Sequence, residues 1–574
     1  MTRYSIIGMV TFAPALLTAQ ATQSAAPTIV PMPATTLPLK HAAEPTSADI
    51  NVKDLMTRLY IFADDSMQGR EAGKIGNVKG TDYIAAEAKK IGLVPAGDNG
   101  TYFQTIPFKT RAVDSASTLA AGGASLAFGR EWVAIAPATV SLNNAPVIYG
   151  GSLGDSMLAL TPEQAAGKVV VFNLLAGQNP RVARDIQKRV EGAAGILLIA
   201  QPQVMGFLRR PSQFVDDPAN APKTPPRATI YVTADAVSKL FDTPMTQLTS
   251  GAAGKPISLD LKLKIDPTPF PARNVVGILP GSDEKLKGEF VAIGGHNDHI
   301  GFNNRPVDHD SIRIFNHIVR PGGAEDGGKQ ANADQQAEVN KLLAEWRAAH
   351  PGTMRADSIS NGADDDGTGT VSVLEIAEKL AAMKTKPKRS TLFVWHVGEE
   401  KGLLGSAYYT DHPTVARDSI VAQLNIDMVG RGDAWDVTGQ AKEGGALRGS
   451  SNYLQLVGSR RLSTELGDLA EKVNAEGKHG LSFDYGMDAN GHPMNIYCRS
   501  DHYEYARYGI PIIFFTTGGH SDYHQVTDEP QYIDYAHMAR VDNFIADLAV
   551  RVSNLDHRVV VDQPKPDPKG ACRQ

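Results

Sequence analysis

Apolar positions along the chain alternate between compact runs and wider, helix-like spacing. Asn274-Val275-Val276-Gly277-Ile278-Leu279, Phe290-Val291-Ala292-Ile293, Leu392-Phe393-Val394-Trp395 and Pro511-Ile512-Ile513-Phe514-Phe515 read as buried strands. Between the second and third runs, Val373, Ile376, Ala377, Leu380 and Met383 recur at helical spacing. Strands that alternate with helices predict an α/β architecture, a sheet covered on both faces, with chemistry in the loops at strand ends. Upstream, Leu55, Leu59 and Phe62 predict a helix beginning near Ser47. A second helix is expected from an N-cap at Thr81, with Ile84, Ala88 and Ile91 on one face and Gly92 as its stop.

Two regions depart from this rhythm. From residue 140 to 261 the pattern shifts to short strands and turns, including Lys168–Phe172 and Gly195–Ile199, with a helix between them over Arg181–Glu191. This stretch reads as an inserted, mainly β domain. At the start of the chain, Arg3 precedes an apolar run from Ile6 to Leu17, and Ala19-Gln20-Ala21 supplies a small-x-small site. That is the layout of an export signal over residues 1–21, too short for a membrane span. The Pro-, Thr- and Ala-rich stretch 22–46 reads as a disordered linker and 561–574 as a flexible tail. The expected order is then 47–139 as the first part of the main domain, 140–261 as the insert and 262–560 as the remainder.

Composition narrows the field. The 574 residues suit three to four domains at about 150 residues each. A formal net charge of -6 shows none of the basic excess of a nucleic-acid partner. Two cysteines, Cys498 and Cys572, cannot build a disulfide scaffold or a cysteine-rich metal module, and whether they pair is open. With the signal removed, a soluble exported protein, periplasmic or secreted, is expected. These patterns do not speak to oligomeric state.

The candidate chemistry collects at the predicted strand ends. The motifs are GGHNDH (294–299), GADDDGTG (362–369), GEEKGLLGS (398–406), LNIDMVG (424–430), RSDH (499–502) and GGHSDYHQVTDEP (518–530). Imidazoles and carboxylates are zinc donors. Two divalent cations offset three carboxylates and a hydroxide, and a near-neutral site tolerates burial. No G-x-S-x-G elbow follows a strand, which argues against a serine hydrolase.

In these motifs, taken in order, the chain resembles the zinc-dependent aminopeptidase family with a co-catalytic metal pair, whose relatives include glutamate carboxypeptidase and glutaminyl cyclase. Gly69-Arg70 and GLVPAGDNGTYFQ (92–104) resemble members with an N-terminal extension, and the insert resembles a protease-associated domain. The resemblance implies an α/β/α sandwich on a mixed, mostly parallel sheet. It implies two Zn²⁺: His296 and Asp427 on one, Glu400 and His524 on the other, Asp365 bridging, with a cis peptide at Asp365–Asp366. Glu399 would be general base and then acid. Tyr497 would help hold the oxyanion, and Asp298, Asp366 and His502 would support the donors. The implied reaction is removal of N-terminal residues from peptides by a bridging water. A carboxypeptidase or dipeptidase of the same superfamily, or a non-catalytic peptide-binding relative, stays open as an alternative.

One feature departs from the family. Sixty-six residues separate Asp298 from Asp365, where relatives have a shorter loop. The insert 302–361 holds Asp308-His309-Asp310 and a helix with Val339, Leu342, Leu343 and Trp346, stopped by Pro351-Gly352. Beginning and ending at donor motifs, it is expected to hang over the site as a lid, with His309 and His317 exposed. His396 is expected to be a hydrogen-bonded core residue.

Overall fold

The computed structural model describes residues 37–574 apart from 154–159, 175–189, 191, 202–204, 207, 221–228, 353, 433–436 and 448. The expected signal segment and nearly all of the expected helix Arg181–Glu191 lie outside the described residues.

The main sheet has nine strands: β1 (Val94–Pro95), β2 (Phe103–Ile106), β3 (Ala272–Leu279), β4 (Phe290–His296), β5 (Ser390–His396), β6 (Ile420–Ile426), β7 (Tyr453–Val457), β8 (Ser482–Asp484) and β9 (Ile512–Thr516). Their order is β1-β3-β5-β4-β6-β9-β7-β8, with β2 also on β3. The central four, β5-β4-β6-β9, are parallel, and the flanking β3 and β7 run antiparallel to them. β5 and β6 are buried along their whole length, as strands covered on both faces must be.

Helices α1 (Val52–Phe62), α2 (Ile75–Ile91), α3 (His309–Val319), α4 (Ala333–Ala349), α5 (Gly369–Ala382), α6 (Leu404–Asp411), α7 (Thr464–Gly477), α8 (His502–Ala506) and α9 (Tyr535–Ser553) complete the frame. One face of the sheet packs Leu55, Leu59, Ile84, Val373, Ile376, Leu466 and Phe544, from α1, α2, α5, α7 and α9. The other packs Tyr409 and Tyr505, from α6 and α8. Because the four central strands are parallel, the loops after β4, β5, β6 and β9 leave from the same edge, where α5 also begins.

Several expectations need correction. Thr81 lies inside α2, which starts at Ile75, and its hydroxyl donates back to the Asn77 carbonyl. Asn51 caps α1. The eight-stranded sheet that contains most of the strands of residues 140–261 begins at Thr118, upstream of residue 140. Its strands Thr118–Ala121, Ala124–Leu126 and Trp132–Ile135 are too short to carry a clear apolar signature, yet they pair into the eight-stranded sheet that holds Val169–Leu174 and Gly195–Ile199. Residues 37–46 of the expected linker lie on the body: Tyr60 donates to the Pro38 carbonyl at 2.5 Å and Lys40 pairs with Asp64 at 3.0 Å. The expected loose tail is tied down as well, because Cys572 is disulfide-bonded to Cys498 and the Gln574 side chain accepts from the Tyr497 amide at 2.9 Å.

Candidate metal centre

Five segments bring their polar ends together at the shared sheet edge. β4 ends in His296, the turn after β5 carries Glu399 and Glu400, and Asp427 follows β6. Asp364, Asp365 and Asp366 precede α5, and His524 lies on the loop after β9.

Asp365 sits at the middle. Its Oδ1 is 3.1 Å from His296 Nε2 and its Oδ2 is 2.9 Å from His524 Nε2. His296 Nε2 is also 3.8 Å from Asp427 Oδ1, and His524 Nε2 is 3.0 Å from Glu400 Oε2. Two donor groups result, His296-Asp365-Asp427 and His299-Asp365-Glu400-His524, and they share one carboxylate. Buried His296 Nε2 and Glu400 Oε1 have no hydrogen-bond partner. Such orphaned atoms, one in each donor group and set among buried carboxylates, fit cation sites, and nitrogen and oxygen donors in these numbers suit zinc.

The surrounding polar groups hold backbone more than side chains. The peptide between Asp365 and Asp366 is cis. Buried Asp366 accepts the amides of His296 (2.8 Å), Gly369 (2.9 Å) and Met428 (3.3 Å), so one carboxylate ties three donor-bearing segments together. It reaches His296 because Gly295 has no side chain: a Cβ there would lie 2.8 Å from Asp366 Oδ2. Asp528 accepts the amides of Asp364 and Asp365 at 3.0 Å. Buried Arg70 donates to the carbonyls of Asn361 and Gly362, just upstream.

Asp298 acts differently from expectation. Its backbone carbonyl, not its carboxylate, lies nearest to His296 Nδ1, at 3.0 Å. The carboxylate accepts the amides of Gly398 (2.8 Å) and Glu399 (3.2 Å), which positions the turn carrying the two glutamates. Ser500 donates to Asp427 Oδ2 at 2.6 Å and is itself held by Asn425.

The Glu399 carboxyl is pushed well above the usual carboxylate range by burial, and the charges of Asp427, Glu400 and Asp501 add to it. His502 stays out of reach of the donors. It donates to the Tyr497 carbonyl, stacks on Phe514 with ring centroids 4.7 Å apart, and burial lowers its pKa to about 3. His396 is buried within hydrogen-bond distance of the Tyr505 hydroxyl, at 3.0 Å, and burial likewise lowers it to about 3.

Asp365, Glu399 and Asp427 face a cleft of about 530 Å³, the size of a small-ligand site. Met428, Val437, Leu447, Met487, Met494 and Phe514 make much of its wall apolar. Tyr497, expected at the oxyanion, does not line the cleft. It is buried in the core beneath α8 with the Arg461 guanidinium 4.5 Å over its ring. The tyrosine in the cleft is Tyr523, whose ring stacks on His524 at 4.0 Å. Burial holds its hydroxyl well above its ordinary pKa.

Sequence reasoning missed His299, a fully buried ring with Nδ1 2.7 Å from Glu400 Oε1 and 3.8 Å from Asp365 Oδ2. The signal was its place in the motif, three residues after His296. His309, expected to be exposed, is fully buried, within hydrogen-bond distance of Asp357 (3.0 Å) and Tyr532 (3.2 Å).

The model for peptidase family M28 matches residues 274–549. The chain is 34% identical over 97 residues to leupeptin-inactivating enzyme 1 of Streptomyces exfoliatus, covering 16% of this chain and 22% of that one. It is 31% identical over 171 residues to an aminopeptidase of Pseudomonas aeruginosa, covering 26% and 31%. The matches therefore span less than a third of either relative. Among solved structures, a zinc aminopeptidase from Bacillus subtilis aligns with a TM-score of 0.45 at 17% identity, over 88% of this chain and 95% of that one. Both donor groups and Glu399 fall inside the stretch, residues 274–549, that resembles peptidase family M28.

Proposed function

We propose that the protein is an exported metallo-aminopeptidase that removes N-terminal residues from peptides by hydrolysis at two zinc ions. The observation that carries this reading is the shared carboxylate of Asp365, one oxygen in each donor group, with Glu399 in the same cleft. His296 and Asp427 would hold one ion, Glu400 and His524 the other, and Asp365 both. When bound, such a pair supplies Lewis acidity and a water of lowered pKa.

The chain's own residues do the rest. Glu399 takes the proton of the attacking water and returns it to the leaving amine. The Tyr523 hydroxyl, kept protonated by its burial, donates to the oxygen that gains charge as the scissile carbonyl is attacked. The apolar wall of the cleft receives the N-terminal side chain. Every donor position and the base position is filled, which disfavours a non-catalytic relative. Arg499, the cation a carboxypeptidase could use against a substrate carboxylate, is paired with Glu325.

Export rests on the signal pattern of residues 1–21, and the Cys498–Cys572 bond suits an oxidising compartment. Among the described residues no helix is long and apolar enough to cross a membrane.

The test is release of free amino acid from unblocked and N-acetylated peptides, with zinc, with chelator, and with Glu399→Gln. Chelator-sensitive release that needs Glu399 and a free N-terminus is expected. Cleavage from the C-terminus, or none, would overturn the reading.

A further inference from the structure

The segment between β4 and α5 is fastened to the loop that carries His524. Its ribbon, Gly301–Asp308 paired with Ala356–Ser360, leads into α3 and α4, which share a small core of Ile314, Ile318, Val319 and Val339. Five contacts pin it. Gly323 has φ of +58°, and a Cβ there would lie 2.6 Å from the Tyr523 carbonyl and 2.9 Å from that of His520. The next residue, Ala324, donates its amide to Tyr523 at 3.1 Å. Arg313 from α3 lies 3.6 Å over the Tyr532 ring and 3.7 Å from Asp522. His309 is within hydrogen-bond distance of the Tyr532 hydroxyl, and Arg355 pairs with Glu529 at 3.1 Å.

Docked in this way, the turn at Gly323–Asp326 forms one lip of the cleft. Pro321, Glu325 and Lys329 are exposed on that rim. Gln440, Ala446 and Pro493 also line the cleft and are exposed, whereas Asp365, Asp427 and Phe514 in its lining are buried. Glu325 crosses from the lip to pair with Arg499, the neighbour of Ser500, which holds Asp427. An ion pair therefore joins the lip to a second cleft-lining residue next to Ser500, the partner of Asp427. The acid on Asp326 is engaged on the lip itself, by Lys329 and the Gly322 amide at 3.0 Å.

We propose that this lip, barred by the Glu325–Arg499 pair, is the specificity-determining element of the site and restricts its substrates to short peptides. The proposal rests on the aminopeptidase reading. A peptide whose first residue lies at the donors must leave the cleft past the lip. A cavity of about 530 Å³ holds a few residues before that point. Longer chains must displace the pair, which is anchored on one side by the docked turn and on the other by the adjoining buried Ser500, bonded to Asp427.

The experiment compares kcat/KM for an unblocked tripeptide and an unblocked octapeptide that begins with the same three residues. It uses the wild-type protein, Glu325→Ala, and a protein in which residues 309–355 are replaced by a short Gly-Ser turn joining Asp308 to Ala356. The wild-type protein is expected to favour the tripeptide by about tenfold or more, and the ratio should fall below about threefold in Glu325→Ala or in the shortened protein. Near-equal rates on the two peptides in the wild-type protein would overturn the proposal and leave the aminopeptidase standing. So would a ratio unchanged in both variants. Cleavage of neither peptide would overturn both readings.

Discussion

His299 is the donor-group member that the motif reading left without a role, and its removal has a calculable effect. The ring is fully buried, edge-on to His524 at 5.5 Å, with Nδ1 2.7 Å from Glu400 Oε1. Glu400 presents its other oxygen to the His524 side at 3.0 Å. His299 is therefore placed to fix the rotation of the Glu400 carboxylate. Taking a close polar partner away from a buried carboxylate costs roughly 1.5–3 kcal/mol. With about 1.4 kcal/mol for each factor of ten, His299→Ala should weaken one zinc equivalent by roughly ten- to a hundredfold. The equivalent held by His296 and Asp427 should change far less. Titration of the metal-free protein with zinc against a chelating indicator resolves the two affinities. His299→Gln, which keeps a donor, should recover part of the loss. If both affinities in His299→Ala stay within about twofold of the wild type, Glu400 is positioned by something else and the reasoning fails.

Other outcomes follow from the same geometry. Asp366→Asn turns an acceptor of three amides into a group with one donor end, so zinc affinity and kcat/KM should both fall, the latter by about a hundredfold. Steady-state assays and zinc titration check this. Tyr523→Phe should lower kcat by about a hundredfold while Tyr497→Phe stays within about twofold, since Tyr523 alone of the two lines the cleft; the reverse order would restore the sequence expectation. Cys572→Ser opens a bond that spans 74 residues, which is worth about 4 kcal/mol in the chain-entropy model. Denaturant unfolding with and without reductant should show that loss. Asp542 on α9 is fully buried and burial raises it to about 8, so the folded state holds a proton that the unfolded state releases near pH 4. A raised carboxyl pKa makes the folded state bind more protons, so its contribution turns unfavourable as pH climbs from about 4 to about 8, by a few kcal/mol. Asp542→Asn should therefore stabilise the protein increasingly across that window, and an advantage independent of pH would count against the assignment.

The parts of the molecule that were legible in the sequence are those set by local periodicity. β4, β5 and β9 each carry an unbroken apolar run, because a strand covered on both faces has no polar side. Donors at the ends of such strands stand out against that background, which is why His296, Asp427 and the two glutamates could be picked from the chain. What was not legible depends on partners distant in sequence. Thr118–Ile135 joins a sheet whose other strands lie up to 140 residues further on, and its own residues are too few to announce it. Tyr497 and Tyr523 both sit beside donor motifs, and their sequence neighbours do not say which ring turns inward. That choice is made by Arg461 over one ring and His524 against the other. His309 looked like a surface residue because its flanks, Asp308 and Asp310, are polar. Its burial comes from Asp357 and Tyr532, 48 and 223 residues away.

The same distinction explains why the polar residues around the donors outnumber the donors. Asp298, Asp366 and Asp528 each spend their charge on backbone amides from other segments. Five loops from separate places in the chain have no hydrogen-bond ladder to hold them in register, so a carboxylate that accepts two or three amides does what a strand neighbour does in the sheet. Near a cation those carboxylates also set the field in which Glu399 works, and each is buried where a neutral amide would leave an N–H facing a donor. The triple acid of residues 364–366 is therefore one motif with three separate duties. Asp364 accepts from Gly430 at 2.7 Å and lies 3.1 Å from His520, Asp365 faces both donor groups, and Asp366 ties β4, α5 and the turn after β6 together. Exchanging any one of the three for its amide should disturb a different measurable: loop stability for Asp364, zinc stoichiometry for Asp365, and the affinity of both equivalents for Asp366.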